Sequence, residues 1–140
     1  MKKVAIIGGG ILGLSIGYKL SLLTRKFTVT VFEKETDVGL HQSGKNSGVL
    51  HCGLNYEPKS LKAKLAVEGI REMILFCKQN KINFDQCGKI VVATNHDEDK
   101  ILQNIANRGK LNGLKNLKFL NKNEIKKREP NIVGLNALLV

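Results

Sequence analysis

The sequence predicts an α/β fold that opens with a strand–helix–strand unit, and three observations support this. A short β-branched run over Val4–Ile7 is bounded by glycines, as in a strand buried on both faces of a parallel sheet. A second β-branched run, Thr28–Phe32, ends at an acidic residue. Strands joined by a helix are parallel, with a right-handed connection in nearly all proteins. Helical spacing lies between the runs, over Ile11–Leu23, with one apolar stripe of Leu12, Ile16, Leu20 and Leu23.

The rest of the chain divides into a long irregular stretch and a series of regular elements. Residues 34–59 show no period, and loops of this length are usually either functional or disordered. Ser60 has the side chain of a helix N-cap. The elements predicted after it are a helix over Leu61–Gln79, a strand over Ile90–Ala93, a helix over Asp97–Leu111, a short strand over Leu117–Leu120, a helix over Lys122–Glu129 and a strand that begins at Leu135.

The chain is strongly basic, with a formal net charge of +11 and a pI near 9.7. Nineteen of its 23 basic residues are lysines, and they are scattered along the whole length. Aromatic residues make up only 5%, so platforms on which bases stack are scarce. This distribution argues against nucleic acid as a partner, whereas a positive field would help to attract an anionic cofactor or acid substrate.

The three cysteines, Cys52, Cys77 and Cys87, form no CxxC pair and no spacing typical of a metal site. We therefore expect no bound metal and interpret the cysteines as small buried thiols in a reducing cytoplasm. No apolar run approaches the roughly 18 residues that a membrane span needs.

A dinucleotide-binding motif joins the first predicted strand to the first helix. Gly8, Gly10 and Gly13 have the spacing G-x-G-x-x-G, and Glu33 ends the next strand twenty residues after Gly13. The three glycines would permit a tight turn, an approach of the pyrophosphate and close packing of helix on sheet, in that order. Glu33 would accept hydrogen bonds from a ribose diol and repel a 2′-phosphate, which disfavours NADP. The motif alone leaves FAD and NAD open.

Five segments carry a more specific resemblance. They read VAIIGGGILGLSIGYKL, VFEKE, HQSGKNSGVLHCGLNYEPKSLKAKLAVEG, CGKIVVAT and REPNIVGL. From Lys3 to Val140 the chain resembles the N-terminal part of FAD-dependent oxidoreductases of the D-amino-acid oxidase family, and within it the L-2-hydroxyglutarate oxidases and dehydrogenases. The resemblance implies a Rossmann-like FAD-binding βαβ unit with the beginning of an α+β substrate domain, incomplete within this chain.

The resemblance also assigns roles to positions in the cofactor site. The glycines of the motif and Glu33 correspond to the site for the ADP half of FAD. A serine- and glycine-rich segment corresponds to the part that passes along the pyrophosphate and beneath the flavin ring. Its matching residues are Ser43, Gly44, Asn46, Ser47 and Gly48.

His51 is the candidate catalytic residue. The resemblance places it near the face of the flavin where a substrate would lie. A 2-hydroxy acid must lose its hydroxyl proton as hydride leaves the α-carbon, and a histidine is a suitable base. Two alternatives stay open at this point: a histidine that only binds the loop backbone, and a covalent flavin link through His51 or Cys52.

The activity implied is the oxidation of a small 2-hydroxy acid, such as L-2-hydroxyglutarate, to the 2-oxo acid. Oxygen or a quinone would reoxidise the flavin, and a quinone would imply peripheral contact of a cytoplasmic protein with the inner face of the membrane. The same resemblance divides the chain into residues 1–83, the N-terminal part of an FAD domain, and residues 84–140, the start of a substrate domain.

The chain corresponds to about the first third of such enzymes, so we expect a fragment whose independent activity is in doubt. A separately encoded C-terminal portion is one partner that this expectation suggests. Two other interpretations remain: a non-catalytic module that senses NAD or ADP, and a degenerate gene remnant without function. The absence of a third βα unit directly after Glu33 argues against the sensing module.

Overall fold

A computed structural model describes residues 1–23 and 26–140, which form two units, Met1–Val49 and Leu50–Val140. The division lies in the irregular stretch that precedes the helix at Leu61. The boundary predicted after residue 83 falls instead within the second unit. A separation of cofactor and substrate domains at residue 83 therefore stays a prediction about function.

The first unit is the predicted strand–helix–strand arrangement. It consists of β1 (Lys2–Ile7), α1 (Ile11–Ser21) and β2 (Phe27–Phe32). The strands are parallel, with Val4 opposite Val29 and Ile7 opposite Phe32. The helix contacts the sheet through Gly17, because a Cβ at this position would lie within 3.5–3.8 Å of Ile6, Val29 and Val31. The α/β architecture predicted from the sequence is thereby confirmed.

The burial of this unit differs from the prediction. Side chains alternate between half-buried and exposed along both strands, and Ile7 and Phe32 are 84% and 55% exposed. Burial on both faces is therefore wrong for the described chain, because one helix covers a two-stranded sheet on one face. The apolar stripe of α1 is also largely exposed, with Leu12 at 79% and Ile16 at 54%. The close contact is made by Gly13 and Gly17, on a different face of α1.

The second unit combines helices with an antiparallel sheet of order β3-β5-β4. Leu138 of β5 lies opposite Val91 of β3 and Phe119 of β4. The sequence located these elements to within one or two residues. Their bounds are α2 Leu61–Gln79, β3 Ile90–Ala93, α3 His96–Leu111, β4 Lys118–Asn121, α4 Lys122–Arg128 and β5 Asn136–Leu139.

Local side-chain contacts explain where these helices begin. The predicted cap Ser60 accepts a hydrogen bond from the N–H of Ala63 at 3.1 Å. Asn95 caps α3, whose first turn carries three acidic residues that the helix dipole favours. Asn121 and Glu124 form a reciprocal capping box at the start of α4.

The core of the second unit lies on both faces of its sheet. Leu138 belongs to a cluster with Leu102 of α3, and its neighbour Ala137 belongs to a cluster with Ile125 of α4. Successive residues of a strand point to opposite faces, so each helix covers a different face. In the described part of the chain, no helix combines the length and apolar character needed to cross a membrane.

Candidate cofactor site and histidine loop

The turn between β1 and α1 requires glycine for two separate reasons. Gly8 has a φ of +103° and its N–H donates to the carbonyl oxygen of Phe32 at 2.7 Å. A Cβ on Gly13 would overlap the carbonyl oxygen of Gly8. The first glycine thus permits a conformation that other residues rarely adopt, and the third permits the helix to approach the turn. These are two of the three roles that the motif predicted.

The N-terminus of α1 is bordered by Gly10 and Ser43. The Ser43 hydroxyl oxygen accepts a hydrogen bond from the N–H of Ile11 at 2.8 Å. Gly10 is the N-cap, and a Cβ there would have only this hydroxyl oxygen within 4 Å, at 3.2 Å. The first turn of α1 contains no acidic residue. The start of the helix therefore combines N–H groups, the positive end of the helix dipole and open space beside Gly10.

Glu33 joins the end of β2 to the glycine turn. One carboxylate oxygen accepts from the N–H of Gly9 at 2.6 Å, and the other accepts from the N–H groups of Lys34 and Glu35 at 2.8 and 3.1 Å. The hydrogen bond from Glu35, followed by that from Gly9, lowers the pKa of Glu33 below its ordinary value. A carboxylate has about four acceptor positions, so three bonds leave room for a ribose hydroxyl.

The serine- and glycine-rich segment is organised by its own hydrogen bonds. The Asn46 amide nitrogen donates to the carbonyl oxygens of Gln42 and Ser43, both at 2.9 Å, and its amide oxygen accepts from Gly48 N–H at 2.8 Å. A Cβ on Gly44 would overlap the carbonyl oxygen of Gly39. Asn46 and Gly44 therefore determine the shape of the loop. Ser47, which is exposed, and Gly48, which has a φ of +66°, come directly after Asn46 in the chain.

The sequence did not indicate a second polar contact in this loop. Nε2 of His41 lies 2.9 Å from Oε1 of Glu35. His41, together with Leu40, Gln42 and Lys45, lines an open depression of about 430 Å³ on the first unit. The sequence could not predict this contact, because the two residues are six positions apart in a segment without regular secondary structure.

The predicted catalytic residue, His51, lies in the second unit. The six residues from His51 to Tyr56, together with Lys89, line a small cavity of about 40 Å³. Nζ of Lys62, in the first turn of α2, lies 4.5 Å from the centre of the Tyr56 ring. The structure thus brings His51 together with Tyr56 and Lys89, with Lys62 over the tyrosine ring. In the first unit it brings the glycine motif together with Glu33 and Ser43.

Asn112, at the end of α3, holds the loop that follows His51. Its amide nitrogen donates to the carbonyl oxygens of Gly53 and Tyr56, both at 2.9 Å. Its buried amide oxygen has no hydrogen-bond partner among the described residues. Sequence reasoning missed Asn112, because an asparagine before a glycine indicates only a local turn.

Metal binding receives no support from the described residues, which contain no cluster of three or more His, Cys, Asp or Glu side chains arranged around an ion. The cysteines are all free. Cys77 is buried as expected, but Cys52 is half-buried and Cys87 is exposed. For Cys87 the expected burial is wrong, because the segment between α2 and β3 lies at the surface.

Comparison with known proteins gives consistent matches along the whole chain. Residues 3–140 match the DAO family, described as "FAD dependent oxidoreductase". An L-2-hydroxyglutarate dehydrogenase of Nematostella vectensis, named as mitochondrial, is 46% identical over 136 residues, which are 97% of this chain and 30% of that protein. An L-2-hydroxyglutarate dehydrogenase of Escherichia coli is 41% identical over 140 residues, which are 100% of this chain and 33% of that protein. This chain spans about a third of the length of such relatives.

A solved structure matches as well. The crystal structure of glycine oxidase from Geobacillus kaustophilus has a TM-score of 0.82 and 25% sequence identity. The match covers 100% of this chain and 40% of the glycine oxidase chain.

Proposed function

We propose a function for this chain on the basis that it belongs to the DAO family of FAD-dependent oxidoreductases. In this proposal the first unit binds the ADP half of FAD. The second unit contributes to the oxidation of a 2-hydroxy acid. The observation that carries the proposal is the start of α1, where the Ser43 hydroxyl accepts a hydrogen bond from the N–H of Ile11 and Gly10 carries no side chain that would exclude a pyrophosphate. The substrate is proposed to be of the L-2-hydroxyglutarate kind, because the curated relatives are named for it.

The residues around α1 fit a pyrophosphate in chemistry and in space. A phosphate beside Gly10 would accept hydrogen bonds from the helix N-terminus, where no acidic side chain repels it. The Ser43 hydroxyl can donate to a phosphate oxygen while its own oxygen still accepts from Ile11. Glu33 would then accept a hydrogen bond from a ribose hydroxyl with its remaining acceptor position.

The segment from Ser43 to Gly48 is proposed to continue along the cofactor towards the flavin. Ser43 and Ser47 are the candidates for direct hydrogen bonds. Asn46 and Gly44 fix the course of the backbone, since their hydrogen bonds and close contacts lie within the loop. Gly48 allows the positive φ with which the segment ends.

His51 is proposed to accept the substrate hydroxyl proton. Bound FAD would act as the two-electron acceptor in the chemistry of this family. The imidazole is exposed and lines a cavity, so a substrate can reach it. The relatives contain further residues beyond the part that this chain matches. Counterparts of those residues, in the same chain or separately encoded, would complete the site. The electron acceptor is oxygen or a quinone in this proposal, and a quinone would require peripheral membrane contact of a cytoplasmic protein.

A thermal-shift titration with FAD and NADH tests the cofactor. We expect FAD to raise the melting temperature by mass action and NADH to leave it unchanged. Gly10→Ala should weaken FAD binding about tenfold or more, because its methyl group would occupy space proposed for the pyrophosphate. The same change should lower the cofactor-free melting temperature only slightly, because the single atom near the added Cβ is the Ser43 hydroxyl oxygen at 3.2 Å, a side-chain atom that can shift.

Gly17→Ala provides the control on the same helix, remote from the turn, and should bind FAD like the parent chain. Stabilisation by NADH alone would favour the nucleotide-sensing alternative. Stabilisation by neither would contradict the cofactor proposal and favour the remnant. With FAD bound, loss of flavin absorbance on adding L-2-hydroxyglutarate would test the substrate.

A further inference from the structure

We infer that the cavity beside His51 is a carboxylate-binding subsite, with Lys89 as its principal cation and Lys62, which lies over the Tyr56 ring, as a second cation. This inference rests on the proposed function and identifies residues that would select a small dicarboxylate. It is drawn within the second unit alone, from the cavity, the charges around it and the contacts that hold them in place.

The lining of the cavity suits an anionic group. Its walls are formed by residues 51–56 and Lys89, and they contain no acidic side chain. A volume of about 40 Å³ exceeds the roughly 10–15 Å³ that a cavity needs to hold one water molecule. The cavity therefore accommodates one end group, such as a carboxylate, and the remainder of a five-carbon substrate would lie outside it.

Lys62 adds a second positive charge next to the same cavity. Its ammonium lies over the ring of Tyr56, which is one of the lining residues. A cation held against an aromatic face has fewer positions available than a free lysine side chain. Two cations around one small cavity favour a dianion over a monoanion, because each carboxylate gains Coulomb energy.

Within residues 1–23 and 26–140, neither lysine forms an ion pair. Among the described residues, no carboxylate lies within ion-pair distance of Lys62 or Lys89. Glu57, the acid next in sequence to the lining residues, lies instead 3.6 Å from Arg108. The positive charge at the cavity is thus available to a ligand.

Backbone contacts fix both sides of the cavity. Lys89 exchanges two hydrogen bonds with Val140, at 3.1 and 2.9 Å, which extend the pairing of β3 with β5. Asn112 holds the opposite segment through Gly53 and Tyr56. Lys89 is therefore held at the start of β3 by its backbone, and the loop that lines the cavity with it is tied to α3.

Glutarate, a dicarboxylate without a reactive hydroxyl, is a suitable probe, and butyrate is its monocarboxylate counterpart. Binding is followed through the NMR signals of the His51 ring in the full chain without cofactor. We expect glutarate to bind at least about fivefold more tightly than butyrate. Lys89→Met should weaken glutarate binding about tenfold or more, and Lys62→Met about threefold, with melting temperatures close to that of the parent.

Lys64→Met is the matched control, because Lys64 is exposed on α2 and does not line the cavity. It should change glutarate binding less than twofold. Equal losses for Lys64→Met and Lys89→Met, equal binding of butyrate, or no binding of glutarate to the parent would each overturn the inference. FAD titration is a separate readout: glutarate binding without FAD binding would refute the cofactor proposal and leave the subsite intact.

Discussion

The Glu33 carboxylate stabilises the fold through backbone hydrogen bonds, in addition to its proposed role in binding the cofactor. It accepts three backbone hydrogen bonds, from Gly9, Lys34 and Glu35, and these connect β2 to the glycine turn. The same turn would receive the cofactor. We therefore expect a change at Glu33 to alter the stability of the first unit and, under the proposed function, its affinity for the cofactor.

The lowered pKa of Glu33 makes its contribution to stability depend on pH. A carboxylate with a lower pKa in the folded than in the unfolded state stabilises the fold above its ordinary pKa of 4.5. That contribution is lost as the pH falls through the lowered value. We expect Glu33→Gln to melt below the parent chain at pH 7, and the gap to narrow at pH values below about 4.5.

Thermal denaturation at a series of pH values measures this gap. Glu68→Gln, an exposed change on α2, controls for the removal of one negative charge from a basic chain. A gap for Glu33→Gln that stays constant from pH 7 to pH 3 would contradict the role assigned to its hydrogen bonds.

The sequence predicted the structural roles of two glycines in the turn. Gly8 has the positive φ and Gly13 the close approach that the motif requires, because both depend on neighbours that are near in the chain. The ribose contact of Glu33 stays a prediction. Asn112 was not predictable, since its partners precede it by 56 and 59 residues. Whether Ser43 to Gly48 and His51 contact FAD or substrate stays a prediction.

At the scale of elements, α1 packs on its sheet through small residues. The regular spacing of Leu12 and Ile16 indicated a helix correctly but did not identify the face that is covered. Glycines carry no hydropathy signal, although Gly17 is the buried residue of this helix. The periodicity of the sequence thus predicted the elements of the fold, whereas the sheet order β3-β5-β4 depends on long-range pairing that no local pattern encodes.

Two alanine substitutions on α1 should have opposite effects. Gly13→Ala forces a methyl group onto the Gly8 carbonyl oxygen, which should lower the free energy of unfolding by about 1–3 kcal/mol or more. Gly17→Ala places its methyl group at ordinary contact distances of 3.5–3.8 Å, and alanine favours the helix over glycine by about 0.5–1 kcal/mol. Urea denaturation of both variants measures the difference, and equal destabilisation would contradict the packing described for α1.

At the scale of the whole molecule, the two units divide the proposed functions unequally. The glycine turn, Glu33 and Ser43 belong to Met1–Val49, and the cavity with His51 belongs to Leu50–Val140. The predicted boundary at residue 83 differs because α2 packs near Gly53, where Ala66 and Val67 lie 3.4 Å from the position of a Cβ. Such a contact between a helix and the loop before it is not visible in composition.

The net charge of +11 should influence association with an anionic cofactor. A positive field speeds the encounter with an anion, and salt screens it over a Debye length of about 10 Å at 0.1 M. We expect the association rate of FAD to fall severalfold between about 0.05 and 0.5 M NaCl. Stopped-flow flavin fluorescence measures the rate, and sucrose at matched viscosity is the control. An FAD association rate that does not change with NaCl concentration would show that the net positive charge does not speed the encounter with the cofactor.

The open face of the β1–β2 sheet should also influence how the chain behaves in solution. Ile7 and Phe32 point into water from neighbouring strands, and in the described residues each strand pairs on one side only. Apolar surface next to unpaired backbone favours contact between copies of a chain. Self-association rises with concentration, so dilution and the mutual repulsion of positive charges should preserve the dispersed state.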